Sequence, residues 1–130
     1  MQTGDTYTQR FQVSSEVYRG FIDLFKDQNP LHTDGAFAKA KGFKGVVMHG
    51  NILNGFVSYF VGECLPIKDV MIYSQSIKYS LPVYENDELE FNAEVTGYFE
   101  SVGAWEIKYY FKNADGKKVA KGELQIGRLK

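Results

Sequence analysis

Gly50-Asn51-Ile52-Leu53-Asn54-Gly55-Phe56-Val57-Ser58-Tyr59-Phe60-Val61-Gly62 is the stretch that decides the architecture of this chain. Ile52, Leu53, Phe56, Val57, Phe60 and Val61 recur in pairs four residues apart, the period of a helix with one broad apolar face. Along its other side, at spacings of four, three and four, run Asn51, Gly55, Ser58 and Gly62, a stripe of small residues that other backbone can approach closely. Such a pattern predicts a helix buried on all sides.

Downstream of this helix the period changes from helical to two. Leu89, Phe91, Ala93 and Val95 alternate with Glu88, Glu90, Asn92 and Glu94, and Trp105, Ile107, Tyr109 and Phe111 alternate with Glu106, Lys108, Tyr110 and Lys112. Each run is a strand with one buried and one wet face. Asn113, Ala114, Asp115 and Gly116 supply turn chemistry into a third strand over residues 118–126, and residues 70–79 form an earlier one. Upstream, Tyr7, Gln9, Phe11 and Val13 suggest a first strand. Val17, Phe21, Leu24 and Phe25 then lie at helical spacing behind a Ser14 or Ser15 cap, which predicts a helix over residues 16–26 that stops before Asn29-Pro30. Residues 31–47 lack a clean period and read as a structured loop with a short helical turn around residues 36–41. Helices encoded together and a mostly antiparallel meander define an α+β domain over residues 1–130, its sheet wrapped around one long buried helix.

Composition narrows the function classes. The 130 residues suffice for one core without disulfides. Lysine and arginine number 15 against 16 acidic residues, so no global positive field exists to hold a nucleic acid or an anionic membrane. Cys64 is the single cysteine, which suits a reducing compartment, and no run approaches the roughly 18 apolar residues of a membrane span. A cytoplasmic protein is expected. Nine tyrosines and ten phenylalanines need a thick core or an interface to cover them, which points to oligomerisation.

The densest polar constellation precedes the decisive helix: His32 and His49, with Asp27, Asn29 and Asp34. Asn-Pro and Asp-Gly are also common loop formers, so residue types alone leave turn chemistry open beside a catalytic role. Without an H-E-x-x-H element or a cysteine pair, no metal is expected. Neither a nucleophile elbow nor a phosphate-binding glycine loop occurs. Cys64, beside Leu65 and Pro66, reads as a packing residue.

Asp27-Gln28-Asn29-Pro30-Leu31-His32-Thr33-Asp34, followed by Val47-Met48-His49-Gly50 at the mouth of an apolar helix, resembles the hydratase motif of the MaoC-like (R)-specific enoyl-CoA hydratases, which have the hotdog fold. The likeness continues through residues 72–76 and 81–84, with Asn86-Asp87 where the family has a Gly-Asp pair. The resemblance implies that Asp27 and His32 are catalytic, that the Gly50 N–H is an oxyanion donor, and that Ser58 assists. Asn29 and His49 then shape the loop. It further implies a homodimer, no cofactor, and an acyl-CoA or acyl carrier protein thioester as substrate, for whose anionic carrier Lys39, Lys41 and Lys44 are the candidate partners. A partly desolvated Asp27 would take a proton from water that His32 orients. A hotdog thioesterase and a noncatalytic acyl-thioester-binding subunit are the competing readings.

Overall fold

In the computed structural model, which describes residues 1–130, strand β1 (Thr6–Gln12) gives way at Ser14 to helix α1 (Ser15–Phe25). The Ser14 hydroxyl accepts the Val17 N–H at 3.1 Å, satisfying a donor that the first turn leaves free. Lys26 ends α1 in the left-handed region, at φ 64°. Two short helices follow where a loop with one helical turn was expected. Asn29 caps α2 (Pro30–Thr33), accepting the Leu31 N–H at 3.0 Å, and Asp34 caps α3 (Gly35–Ala40), accepting the Phe37 N–H at 3.1 Å. Helices this short are marked by their caps, because they hold too few residues to display an apolar period.

Helix α4 (Asn51–Tyr59) continues as a π-helical turn over Phe60–Cys64. Lys68 Nζ donates to the carbonyls of Gly62 at 3.3 Å and Glu63 at 2.9 Å, meeting two of the acceptors freed at that end. Strands β2 (Val70–Tyr79), β3 (Glu88–Phe99), β4 (Ala104–Lys112) and β5 (Lys118–Arg128) complete a five-stranded antiparallel sheet in the order β1-β3-β4-β5-β2. Expected strand periods become register: Phe91 pairs with Phe111 and Val95 with Ile107, all buried on the face that meets α4. Phe60 lies 4.7 Å from Phe91, and Phe11 stacks on Phe56 at 4.5 Å, so rings from helix and sheet share one core. Gly122 admits the Tyr109 ring across β5; a Cβ there would collide with that ring and with the Ser76 carbonyl.

Helix α4 is not buried on all sides. Ile52, Leu53, Val57, Phe60 and Val61 of the helix and its π-turn are covered, but Asn51, Gly55, Ser58, Tyr59 and Gly62 are exposed. Five strands leave one side of the helix open, and β2 stands at an edge with β5 as its single neighbour. Leu24 and Phe25, 76% and 68% exposed on α1, extend the uncovered surface. No helix is long and apolar enough to cross a membrane.

Candidate active site

The caps that make α2 also build the site. Asp27 follows the left-handed Lys26, and its Oδ1 accepts the Asn29 N–H at 3.2 Å, closing a turn that leaves the rest of the carboxylate free. Asn29 in turn starts α2, which carries His32. The Val47–Gly50 segment is pinned on both sides: Val47 N–H donates to the Leu31 carbonyl at 3.0 Å and Met48 N–H to the Val83 carbonyl at 2.8 Å. Asp27, His32, His49 and Gly50, separated by up to 23 residues in sequence, thereby line one cavity of about 480 Å³. Val13, Phe21, Phe43, Met48 and Leu53 supply apolar walls, and Tyr79 and Ser80 close one side.

The histidines have defined tautomers. His32 Nδ1 lies 2.7 Å from the Val47 carbonyl oxygen, which can only accept, so Nδ1 carries a proton and, in the neutral imidazole, Nε2 keeps the lone pair. His49 Nε2 lies 2.8 Å from the Asp27 carbonyl and by the same reasoning donates to it. Its Nδ1 is buried without a hydrogen-bond partner. The two imidazoles stack, with centroids 4.0 Å apart and planes at 28°, and the Phe21 ring packs 4.6 Å from that of His49. His49, 3% exposed, is thus a plate against which His32 is held and a strut for the Asp27 backbone.

One nitrogen of each histidine and an Asp27 oxygen lie within 4.8 Å of one another. As metal ligands they fit poorly. Stacked rings direct their lone pairs side by side, whereas a tetrahedral ion needs them to converge. An acid–base pair asks only for a carboxylate and a neutral imidazole facing the same small volume.

Helix α4 opens at this cavity. Ile52 N–H bonds the His49 carbonyl at 3.1 Å and Leu53 N–H the Gly50 carbonyl at 3.0 Å, while the N–H groups of Gly50 and Asn51 meet no protein acceptor. Unpaired N–H groups at a helix start carry partial positive charge and suit a developing oxyanion. The Tyr79 ring lies directly on Gly50, where an added Cβ would stand 2.8 Å from Cζ.

The fold sets the exposure and place of the other expected residues. Asp27 is exposed, not partly desolvated, because it stands on the rim between this cavity and the uncovered groove of α1 and α4. Ser58, two turns along α4, is exposed and does not line the cavity. Lys39, Lys41 and Lys44 are exposed and also outside its lining; Lys41 Nζ lies 5.5 Å over Phe37 and Lys44 Nζ 4.7 Å over Tyr84. Two contributors were not legible in the sequence: Tyr79, and Tyr18, whose hydroxyl donates to the His32 carbonyl. Burial, then the charge of Glu85, raises the Tyr18 pKa and keeps that phenol a donor. Nothing in the spacing of Tyr18 distinguishes it from the packing residues of α1.

A five-stranded antiparallel sheet around one helix, with an aspartate–histidine pair at that helix's start, defines a hotdog domain with a candidate acid–base site. The chain belongs to the MaoC like domain family, whose model matches residues 2–113. It is 40% identical to the (R)-specific enoyl-CoA hydratase of Aeromonas caviae over 76 residues, 58% of this chain and 57% of that protein. It is 34% identical to the (R)-specific enoyl-CoA hydratase of Rhodospirillum rubrum over 83 residues, 64% of this chain and again 57% of the relative. These matches therefore span little more than half the length of the two hydratases. The solved structure of the A. caviae (R)-hydratase involved in PHA biosynthesis superposes with a TM-score of 0.89 at 27% identity, covering 98% of this chain and 97% of that one.

Proposed function

We propose that the chain hydrates trans-2-enoyl thioesters of coenzyme A or acyl carrier protein to (R)-3-hydroxyacyl thioesters, and catalyses the reverse dehydration. The observation that carries this reading is the tautomer of His32: with Nδ1–H held by the Val47 carbonyl, its free Nε2 and the Asp27 carboxylate both belong to the cavity at whose edge the Gly50 N–H is unpaired. Hydration needs water activated for attack on C3, a proton delivered to C2, and charge stabilised on the thioester oxygen. Asp27 takes a proton from a water that His32 orients, the hydroxyl adds to C3, and the same pair returns a proton to C2 while the Gly50 N–H holds the enolate oxygen. A single pair acting from one side delivers hydroxyl and proton to the same face. The choice of face follows the two similar hydratases named (R)-specific.

Crotonyl-CoA tests the reading directly, by loss of the conjugated thioester absorbance with free thiol recorded in parallel. The expected product is (R)-3-hydroxybutyryl-CoA by syn addition, identified with stereospecific dehydrogenases and in deuterated water. Release of thiol would indicate a thioesterase, absence of both signals a binding subunit, and an (S) product would remove the stereochemical assignment.

The active form we propose is a homodimer. The free edge of β2, the exposed stripe on α4, and Leu24 and Phe25 make one continuous demand for cover, which a second copy satisfies. Light scattering at micromolar concentration is expected to give twice the chain mass; a fully active monomer contradicts this.

A further inference from the structure

Helix α4 is polar on the side that faces β2. Asn54 Nδ2 donates to Asn51 Oδ1 at 2.8 Å and lies 3.5 Å from the Tyr79 hydroxyl. Gln75 Nε2 donates to Asn54 Oδ1 and lies 3.5 Å from the Tyr109 hydroxyl, which is itself 3.5 Å from the Ser76 carbonyl. Three elements therefore converge on a connected set of two asparagines, a glutamine and two phenols. Asn51 and Tyr79 line the catalytic cavity beside Gly50, and the set ends on Tyr109, 3% exposed. Burial pushes the Tyr109 phenol up to about 12, so it stays protonated.

A plain hydrocarbon tail is a poor occupant for such a surface, because covering amides and phenols without bonding them forfeits their hydration. Within one chain, bonding capacity remains in the set: the Asn51 amide N–H groups, Gln75 Oε1 and the Tyr79 O–H, all on exposed side chains, bond no other protein group. The complementary group is neutral. No lysine or arginine bonds any of the five side chains, and Lys78, next to Tyr79 on β2, points to the opposite face because side chains alternate along a strand. A carboxylate arriving there would lose water and gain no counter-charge.

We propose that Asn51, Asn54, Gln75 and Tyr79 form a polar subsite that selects enoyl thioesters carrying a neutral hydrogen-bonding group, a hydroxyl or carbonyl, on the acyl chain. This rests on the hydratase reading. The amides of the carrier's arm offer similar chemistry, but the bulky carrier has to remain in solvent, whereas the set begins on Asn51 and Tyr79 in the cavity lining and continues through Asn54 and the exposed Gln75 to the buried Tyr109. That direction assigns it to the acyl end.

The test compares kcat/KM for pent-2-enoyl-CoA and 5-hydroxypent-2-enoyl-CoA. The wild-type chain is expected to favour the hydroxylated substrate by about tenfold, since a site built for a hydroxyl discriminates against the analogue lacking it. Asn54→Leu and Tyr79→Phe should each bring that ratio close to one. A ratio measured within one variant does not depend on the fraction folded, and Tyr79→Phe keeps the ring on Gly50 while removing only the hydroxyl. A wild-type chain that hydrates pentenoyl-CoA with no preference overturns the subsite alone, as does a preference that survives both substitutions. A chain that hydrates neither substrate overturns the functional reading and the subsite together. Crotonyl thioesters of N-acetylcysteamine and of butanethiol form the second comparison: if the variants change only that ratio, the polar group belongs to the carrier and the acyl assignment is wrong.

Discussion

Asp27→Asn and His32→Ala are each expected to lower crotonyl-CoA hydration by about a hundredfold or more, the loss typical when a general acid–base group is removed. The double variant should fall little below the worse single one. Both side chains act on one water, so either loss disables the unit, and effects within such a unit do not add. Structure is expected to survive both changes. Asp27 is exposed, and its contact with His49 is made by its backbone carbonyl, which asparagine retains. Asparagine also keeps an oxygen for the Asn29 N–H that closes the turn. His32→Ala loses the bond to the Val47 carbonyl and the stack on His49, so its melting temperature should be measured beside its turnover. Near-normal kcat in either folded variant would remove that residue from the mechanism, and fully additive losses would refute the shared water.

Gly50→Ala is expected to reduce kcat/KM by about a hundredfold, comparable with the loss of an oxyanion donor. The N–H itself would remain. What changes is access: the new Cβ would lie 2.8 Å from Tyr79 Cζ, closer than carbon atoms approach, so either the ring or the first turn of α4 has to shift. Tyr79 is half exposed and has room to swing, which keeps the effect on stability small and places the loss at the thioester. Gly50 has φ −58°, an ordinary helical value, so the need for glycine here is closeness of approach and not backbone freedom. Steady-state kinetics on crotonyl-CoA decide the matter. Unaltered kcat/KM would show that the thioester does not pass this glycine.

Legibility in the sequence followed how far apart the interacting residues lie. The strands of the second half could be read because alternation is local: Phe91 and Ile107 are inward by parity alone, and β2 spans the expected residues 70–79. Helix α1 was also local, differing from expectation by one residue at each end. The site residues Asp27, His32 and Gly50 were named through motif resemblance, while residue types alone also allowed ordinary turns. Folding adds that the turn chemistry and the site are the same object, since the Asn29 cap that makes α2 is what presents His32. Ser58 went the other way, expected to assist at the site and found outside its cavity.

By itself the amino-acid order determined the α+β class, the meander, the two longer helices and the aspartate, histidines and glycine around which the site forms, because periods, caps and motifs are properties of neighbouring residues. Only the tertiary structure decided which His32 nitrogen is free, that His49 holds the Asp27 backbone, that Tyr79 covers Gly50, and that one side of α4 stays open. Each of these depends on atoms brought together from distant segments: a Val47 carbonyl against His32, an Asp27 carbonyl against His49, a strand-end ring against a helix start. Protonation state and access are set by such through-space neighbours, and no local pattern encodes them.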